Sequence, residues 1–286
     1  MLFRSFIGCQ AAGGAVGNLA ACTQDSGIVN GVGSVIGGQS RVNVFQAEFA
    51  AQVASGSVPT LNYLILPNDH TNGTTPNDYS PQAMIADNDL ALGQIVDIIS
   101  HSSIWDSSAI FVDEDDSQDG ADHVDAHRMP AYVISPWAKR GAVVHTRYDQ
   151  YSMLRTIELI TGLHPLSLND ALATPMYDSF DTTSDVNGTR YTAITPTQSI
   201  GEVNTSSSAM ASTSAELPWK QMDLVPQALS DEILWHAVYG DGSTPPAPGP
   251  NASPIEHART TIARDLLRHH GNVRAYLERT GGDGDG

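Results

Sequence analysis

The stretch that indicates the fold is Leu61-Asn-Tyr-Leu-Ile-Leu66, followed by the loop Pro67-Asn68-Asp69-His70-Thr71-Asn72-Gly73. The apolar run has the length of one buried strand, and the proline ends it. A serine and a proline at residues 80–81 then begin an amphipathic helix that should end near Ser100. The predicted apolar face of this helix contains Ile85, Leu92, Ile95, Val96 and Ile99. The order of strand, polar loop and helix is typical of a layered α/β domain.

The same alternation extends along the chain in both directions from this stretch. It predicts two further helices and two further strands: helices at Asn43–Val53 and Tyr151–Thr161, and strands at Ala109–Val112 and Ala131–Ser135. The predicted fold class is therefore α/β, with a largely parallel sheet. In such sheets, polar loops at the carboxyl ends of the strands build the site. We therefore expect loops 67–74 and 113–128 to open on the same sheet edge.

The rest of the chain is divided by composition. The predicted segments are an irregular stretch at 1–42, an α/β core at 43–200, a wrapping segment of the same domain at 201–239, and a Pro/Gly linker, helix and tail at 240–286. Residues 192–216 are rich in Thr and Ser with little apolar period, which predicts surface loop. The helix within the last segment is expected at Pro254–Thr280.

The charge of the chain excludes several classes of partner. There are 14 Lys and Arg against 32 Asp and Glu in 286 residues, a formal net charge of −18. Nucleic acids and anionic membrane surfaces are bound by clustered basic side chains. We therefore expect no nucleic-acid partner and no docking on such membranes. No run reaches the roughly 18–20 apolar residues of a membrane-spanning helix, so no transmembrane segment is expected.

The acidic residues are concentrated in one place. Seven of them lie in the thirteen residues from Asp113 to Asp125, a stretch that contains no Lys or Arg. Carboxylates this close together raise one another's pKa unless a cation binds among them. His123 and His127 add imidazoles. A mixed carboxylate and imidazole set suits Zn, Mn or Fe, and an all-oxygen set suits Ca, so the sequence predicts a divalent metal ion here.

Two other interpretations of the acidic stretch stay open. It could be a solvated acidic loop, or it could bind a structural calcium ion as an EF-hand does. Counting from Asp115, the spacing of Ser117, Asp119 and Gly120 matches the first part of an EF-hand loop. The twelfth position is Ala126 instead of the bidentate glutamate, and a strand is predicted where an EF-hand has a helix. The calcium interpretation would make the chain a non-catalytic interaction domain.

A second candidate pair is Asp69 and His70, which follow the strand at residues 61–66. An isolated Asp-His pair is commonly a turn with a capping partner. At the end of a strand in this predicted fold it is also a candidate metal-binding pair. Arg128 supplies the positive charge that an anionic substrate requires. The sequence contains no Gly-x-Ser-x-Gly elbow, P-loop, GxGxxG, HExxH or CxxC motif.

Three stretches together carry a resemblance to a known family: LPNDHTNGTTPNDYSPQAMIADNDLALGQIVDIIS at 66–100, EDDSQDGADHVDAHR at 114–128, and AYVISPWAKRGAVVHTRYDQYSMLRTIELITGL at 131–163. They resemble the phosphoesterase family, which contains acid-phosphatase and phospholipase-C-type enzymes of the alkaline phosphatase superfamily. The family includes phosphoesterase domains found beside YncE-like propellers. The similarity runs from about Asn43 to Phe180, with a weaker match in Pro218–Pro248.

The resemblance implies a three-layer α/β/α hydrolase of small phosphate esters with one or two divalent metal ions. With His127 added from the acidic stretch, the candidate metal ligands are Asp69, His70, Glu114, Asp115, Asp116, His123 and His127. His70 or His123 would protonate the departing alkoxide, and Arg128 would face the anionic ester.

The resemblance also implies residues upstream of those seen here. In this superfamily the first metal-binding acid and the Ser or Thr nucleophile come from the first strand and the start of the next helix. Nothing like the family's Asn-Arg-Thr-Tyr-Asp segment precedes Asp69. The chain therefore resembles the carboxyl-terminal portion of a longer enzyme, with a core that lacks its first strands, and no nucleophile is assigned.

The compartment is indicated by the family and by the first residues. The resemblance favours an exported protein, and Leu19-Ala20-Ala21 before Cys22 is similar to a bacterial lipoprotein cleavage site. Gln10 and Asn18 interrupt the apolar core of that segment, so an irregular surface stretch is the alternative. Cys9 and Cys22 show no metal-ligand spacing and could pair in an oxidising compartment.

Overall fold

The computed structural model describes residues 3–6, 40–114, 129–219 and 225–244. Its strands and helices, in chain order, are β1 Phe3–Phe6, α1 Arg41–Ser55, β2 Leu61–Leu64, α2 Pro81–Ser100, β3 Ile110–Asp113, β4 Ala131–Ile134, α3 Gln150–Thr161, α4 Leu168–Leu172, α5 Ala211–Ser214 and α6 Gln227–Tyr239. Within these ranges, none of the helices has the length and apolar character needed to cross a bilayer.

The strands pair in two ways. β1 and β2 are parallel, and α1 lies between them in sequence, so the three elements form a βαβ connection. β3 and β4 are antiparallel, with Asp113 opposite Ala131. Each described sheet has two strands. The mixture of helices and strands is compatible with the predicted α/β class, while the three-layer core with a largely parallel sheet stays a prediction.

The first two strands correct parts of the sequence interpretation. Irregular structure is predicted for residues 1–42, yet Phe3–Phe6 form β1, because their main-chain partner is β2, a segment remote in sequence. The strand predicted at 61–66 is confirmed for Leu61–Leu64. Its predicted burial is wrong, since 53% of Tyr63 is exposed. Among the described residues β2 has one neighbouring strand, which is typical of an edge strand.

Helix α1 confirms the prediction at Asn43–Val53 and is two residues longer at each end. The Ser40 hydroxyl accepts a hydrogen bond from the Asn43 N–H at 3.1 Å and caps the first turn. Gly56 ends the helix in the left-handed conformation, with φ of 64°.

Helix α2 begins and ends where the sequence predicts. The Ser80 hydroxyl accepts a hydrogen bond from the Ala83 N–H at 3.1 Å, which is the expected cap. The predicted apolar face is wrong at Ile85, which is 53% exposed. Ala83, Leu90 and Ala91 are fully buried instead. Ile95 and Val96 are buried as predicted. The buried face also contains alanines, whose small side chains give a weaker apolar pattern than isoleucine does.

The chain forms two compact units. Unit 1 contains the described parts of Met1–Leu66, Leu90–Glu114 and Pro130–Thr195, and unit 2 those of Pro67–Asp89, Asp115–Met129 and Pro196–Gly286. The unit 1 core contains Val42, Phe45, Phe49, Ala91 and Ile95. The unit 2 core contains Leu217, Trp219, Leu229 and Ile233.

The turn between α3 and α4 in unit 1 is defined by local capping. α3 ends at Gly162 as predicted, with φ of 72°. Ser167 and Asp170 then form a capping box at the start of α4. The Ser167 hydroxyl donates to the fully buried Asp170 carboxylate and, more than any other contact, holds its pKa below the usual range. The Leu166 N–H, 2.7 Å from Asp170 Oδ2, acts in the same direction, while burial opposes it.

Several predictions fall outside the described residues. They concern the cleavage-like segment, the two cysteines, the helix at Pro254–Thr280 and the acidic stretch from Asp115 to Arg128.

Candidate functional site

The first candidate pair lies at the end of a 3₁₀ turn that follows β2: Asp69 is the last residue of the turn, and His70 comes directly after it. This turn spans Pro67–Asp69. The His70 N–H donates to the Pro67 carbonyl at 3.1 Å and to Asp69 Oδ1 at 3.0 Å. Asp69 and His70 are half-buried, so both side chains remain partly accessible to solvent. The turn therefore places Asp69 and His70 at neighbouring, partly exposed positions of unit 2.

The loop that follows is attached to a segment far along the chain. Thr74 N–H donates to Ser214 Oγ at 2.9 Å, and the two residues are 140 positions apart. Thr75 Oγ1 lies 3.1 Å from the same hydroxyl. Ser214 is fully buried and Thr74 is 2% exposed. Buried bonds of this kind are costly to break, because each group has lost its contact with water. They hold the loop in one conformation.

Gly73 is required by both its backbone and its surroundings. Its φ is +56°, a conformation that other residues rarely adopt. A Cβ atom at this position would overlap Trp219 Cζ2 and would lie 2.7 Å from Ser214 Oγ. The Trp219 indole N–H donates to the Ser214 carbonyl at 3.0 Å. The loop backbone therefore packs directly on the indole.

Asn204 connects the two ends of the loop. Its side-chain amide donates to the Gly73 carbonyl at 3.2 Å and to the Tyr79 carbonyl at 3.1 Å. Its backbone N–H donates to the Asp78 carbonyl at 2.9 Å, and its carbonyl accepts from the Asn77 N–H at 2.9 Å. Asn204 is 5% exposed. One buried side-chain amide thus donates hydrogen bonds to backbone carbonyls at both ends of the loop, at Gly73 and at Tyr79.

These contacts correct the prediction for residues 192–216. The sequence predicts surface loop there, whereas the structure buries Asn204, Ala211 and Ser214 within unit 2. The prediction relies on apolar periodicity, and these contacts are made by polar side chains and backbone groups. The residues around a serine or an asparagine in a Thr/Ser-rich segment do not show whether its side chain is buried or exposed. Local sequence alone therefore contained no signal for their role.

A buried carboxylate adjoins the Asp69–His70 turn and was also missed by sequence reasoning. Asp87 lies on α2 and is 2% exposed. The Asn68 side-chain amide donates to Asp87 Oδ2 at 2.7 Å. Asn68 directly precedes Asp69, so the contact joins the turn to the helix. An acidic residue between apolar positions of an amphipathic helix could have drawn attention to this position.

Glu114 follows an antiparallel pair of strands. Its N–H donates to the Pro130 carbonyl at 3.4 Å, next to the Asp113–Ala131 pair that ends the ladder. The acidic stretch therefore connects two antiparallel strands, whereas the sequence predicts a largely parallel sheet. β3 and β4 are close in sequence and run in opposite directions. A loop is enough to connect two such strands, whereas parallel strands require a longer crossover connection.

The structure brings together some of the predicted site residues. Asp69 and His70 adjoin each other in unit 2, and Glu114 belongs to unit 1. The other candidates lie outside the described residues: Asp115, Asp116, His123, His127 and Arg128. Among the described residues, no group of three or more His, Cys, Asp or Glu side chains is placed to hold a metal ion. The joint action of the two candidate segments stays a prediction.

The comparisons with known proteins bear on the same region. Residues 36–164 match the model of the Phosphoesterase family. The matched region covers both candidate segments, including every predicted ligand from Asp69 to His127. This match supports the phosphoesterase family and a hydrolase that acts on phosphate esters. No curated protein matches the chain. Asn204, Ser214 and Trp219, which hold the candidate loop, lie beyond the phosphoesterase match.

Proposed function

We propose that this protein is a metal-dependent hydrolase of phosphate esters, with phosphomonoesters or phosphodiesters, including phospholipids, as substrates. The observation that carries the proposal is the phosphoesterase match over 36–164, which includes both candidate segments. The proposal extends to the three-layer core of the alkaline phosphatase superfamily. The parallel β1–α1–β2 connection is compatible with that core.

The proposed metal ligands are residues whose donor atoms suit Zn, Mn or Ca. They are Asp69, His70, Glu114, Asp115, Asp116, His123 and His127. Among the described residues, the adjacent carboxylate and imidazole of Asp69 and His70 fit such an ion as two of its ligands. A bound divalent ion would polarise the phosphoryl oxygens and lower the pKa of an attacking group.

The remaining roles belong to the side chains themselves. Whichever of His70 and His123 does not bind the metal ion would donate a proton to the departing alkoxide, since an imidazole ordinarily has a pKa near neutral pH. Arg128 would hold the anionic phosphoryl group through paired N–H donors. The fixed loop after His70 supports this role, because catalytic side chains act best when their backbone has one conformation.

The test is to measure bound metal and turnover on the same samples. The purified chain is stripped with a chelator, reloaded with Zn, Mn or Ca, and assayed with p-nitrophenyl phosphate and bis(p-nitrophenyl) phosphate. Asp69→Asn and His70→Gln should each lower turnover by about 100-fold or more and reduce bound metal. Asp89→Asn and His164→Gln, both at exposed positions, are matched controls that should leave both unchanged.

Two outcomes would contradict the proposal. A folded chain that holds no metal and hydrolyses neither ester is not an active phosphoesterase. Calcium-selective stabilisation without turnover, lost in Asp119→Ala and unaffected by Glu114→Ala, would favour a structural calcium site in an interaction domain.

A further inference from the structure

We infer that Asp87 is a positioning residue for the Asp69–His70 turn and acts through Asn68. This inference rests on the proposed function, because it assigns a role to a residue next to the proposed metal ligands. It starts from the 2.7 Å hydrogen bond between Asn68 Nδ2 and Asp87 Oδ2.

The burial of Asp87 requires an explanation. Its side chain is 2% exposed on a helix face where Ala83 and Leu90 are fully buried. A buried carboxylate lowers stability unless hydrogen bonds compensate for its lost hydration. An apolar side chain would fill this helix face without that cost. The contact with the Asn68 amide is a reason for the acidic residue, since this hydrogen bond replaces part of the hydration that burial removes.

The position of Asn68 explains how its contact with Asp87 can affect the candidate metal ligands. Asn68 is the central residue of the 3₁₀ turn Pro67–Asp69, whose next residue is His70. The hydrogen bond to Asp87 therefore attaches the middle of this turn to α2 within unit 2. Because α2 is a 20-residue helix and is more rigid than a loop, its contact with Asn68 should restrict the orientation of the neighbouring Asp69 and His70 side chains. All four residues belong to unit 2.

The hydrogen bonds on the other side of the turn complete the arrangement. Residues 73–75 are held by Ser214 and Asn204, as the distances above show. The candidate pair therefore lies between the Asn68–Asp87 hydrogen bond before it and a group of buried contacts after it. Removing Asp87 would release the first and leave the second.

The experiment compares Asp87→Ala, Asn68→Ala and the double variant, with Asp87→Asn as the conservative change. Three quantities are measured: apparent Mn²⁺ affinity, kcat and KM with p-nitrophenyl phosphate, and the His70 ring resonances of the metal-free chain, assigned with His70→Gln. Each alanine variant should weaken Mn²⁺ binding by about 10- to 100-fold and lower kcat more than it raises KM. Asp87→Asn retains an acceptor and should recover part of the loss.

The double variant separates positioning from general stability. If Asp87 acts through Asn68, the double variant should lose no more Mn²⁺ affinity than either single variant. Additive losses, or an unchanged Mn²⁺ affinity in a folded Asp87→Ala chain, would overturn the inference. Asp89→Ala, at an exposed position of the same helix, is the matched control and should change none of the three quantities.

The His70 resonances distinguish failure of this inference from failure of the proposed function. They should shift in Asp87→Ala and Asn68→Ala whether or not the chain binds metal. Unchanged resonances in both folded variants would overturn the positioning role. Shifted resonances in a chain whose wild type neither binds Mn²⁺ nor hydrolyses the ester would support positioning and remove the proposed function.

Discussion

The turn between α3 and α4 and the loop after His70 each contain a glycine with positive φ, but their stabilising contacts come from different distances along the chain. Near Gly162, the Leu163 N–H donates to the Glu158 carbonyl at 2.8 Å, and Ser167 and Asp170 complete the capping. All of these partners lie within thirteen residues of one another.

The loop containing Gly73 depends on remote partners instead. Ser214 lies 140 residues from the Thr74 that it binds, and Asn204 lies 131 residues from Gly73. The comparison teaches that one turn is specified by its own sequence, while the loop at the candidate site is specified by the folding of the rest of unit 2. A substitution at either end of a remote contact should therefore affect the candidate loop more than a similar substitution affects the local turn.

The largest expected difference is between the two glycines. Gly73→Ala should lower the free energy of unfolding by about 2–5 kcal/mol, since a left-handed alanine costs roughly 1–2 kcal/mol and overlap with Trp219 adds about 1–3 kcal/mol. Gly162→Ala meets no atom within 4 Å, so only the first cost applies, roughly 1–2 kcal/mol. Urea unfolding measures both. Equal losses would show that the indole does not restrict the loop.

The second prediction concerns the remote serine. Ser214→Ala removes the acceptor for the Thr74 N–H in a buried place and should lower the free energy of unfolding by about 1–3 kcal/mol. Ser207→Ala, on an exposed serine a few residues earlier, should change it by less than about 0.5 kcal/mol. Urea unfolding compares the pair. If Ser214→Ala and Ser207→Ala both change the free energy of unfolding by the same small amount, the remote contact does not stabilise the loop as described.

The third prediction tests the local turn through pH. The pKa of Asp170 is lowered in the folded state, so its stabilising contribution is complete above the ordinary Asp pKa of about 3.9 and is lost as pH falls through the lowered value. The stability difference between wild type and Asp170→Asn should therefore shrink between about pH 5 and pH 2.

Thermal melts across this pH range measure that difference. Asp106→Asn, at an exposed position of unit 1, controls for the loss of one carboxylate and should show a smaller pH-dependent change. A constant difference between wild type and Asp170→Asn at all pH values would contradict the local capping described for this turn.

The elements predicted from sequence are those with local signals. Ser80 and Pro81 begin α2, and Gly162 ends α3, because caps act on backbone groups within one turn. β3 and β4 were also predicted, but not their antiparallel pairing, since a short apolar run does not show its partner strand.

The candidate site was predicted only in part for the same reason. Asp69 and His70 were recognised by their place after a strand, which is a local signal. Asp87, Asn204 and Ser214 were missed because their importance comes from contacts across 19 to 140 residues, made by polar groups without periodicity. The helical apolar pattern was also misleading at Ile85, which fits the pattern but is exposed.

The packing of Gly73 on the indole makes position 219 suitable for a spectroscopic probe of the loop. Trp219 is 5% exposed, and its N–H is bonded to the Ser214 carbonyl in the same unit as Asp69 and His70. The ¹⁹F resonance of a 5-fluorotryptophan at this position would be sensitive to any opening of the loop. The chain has four tryptophans, few enough for their resonances to be separated and assigned. Loop motion during metal or ester binding could therefore be followed in solution by ¹⁹F NMR, with one hydrogen of the indole replaced by fluorine.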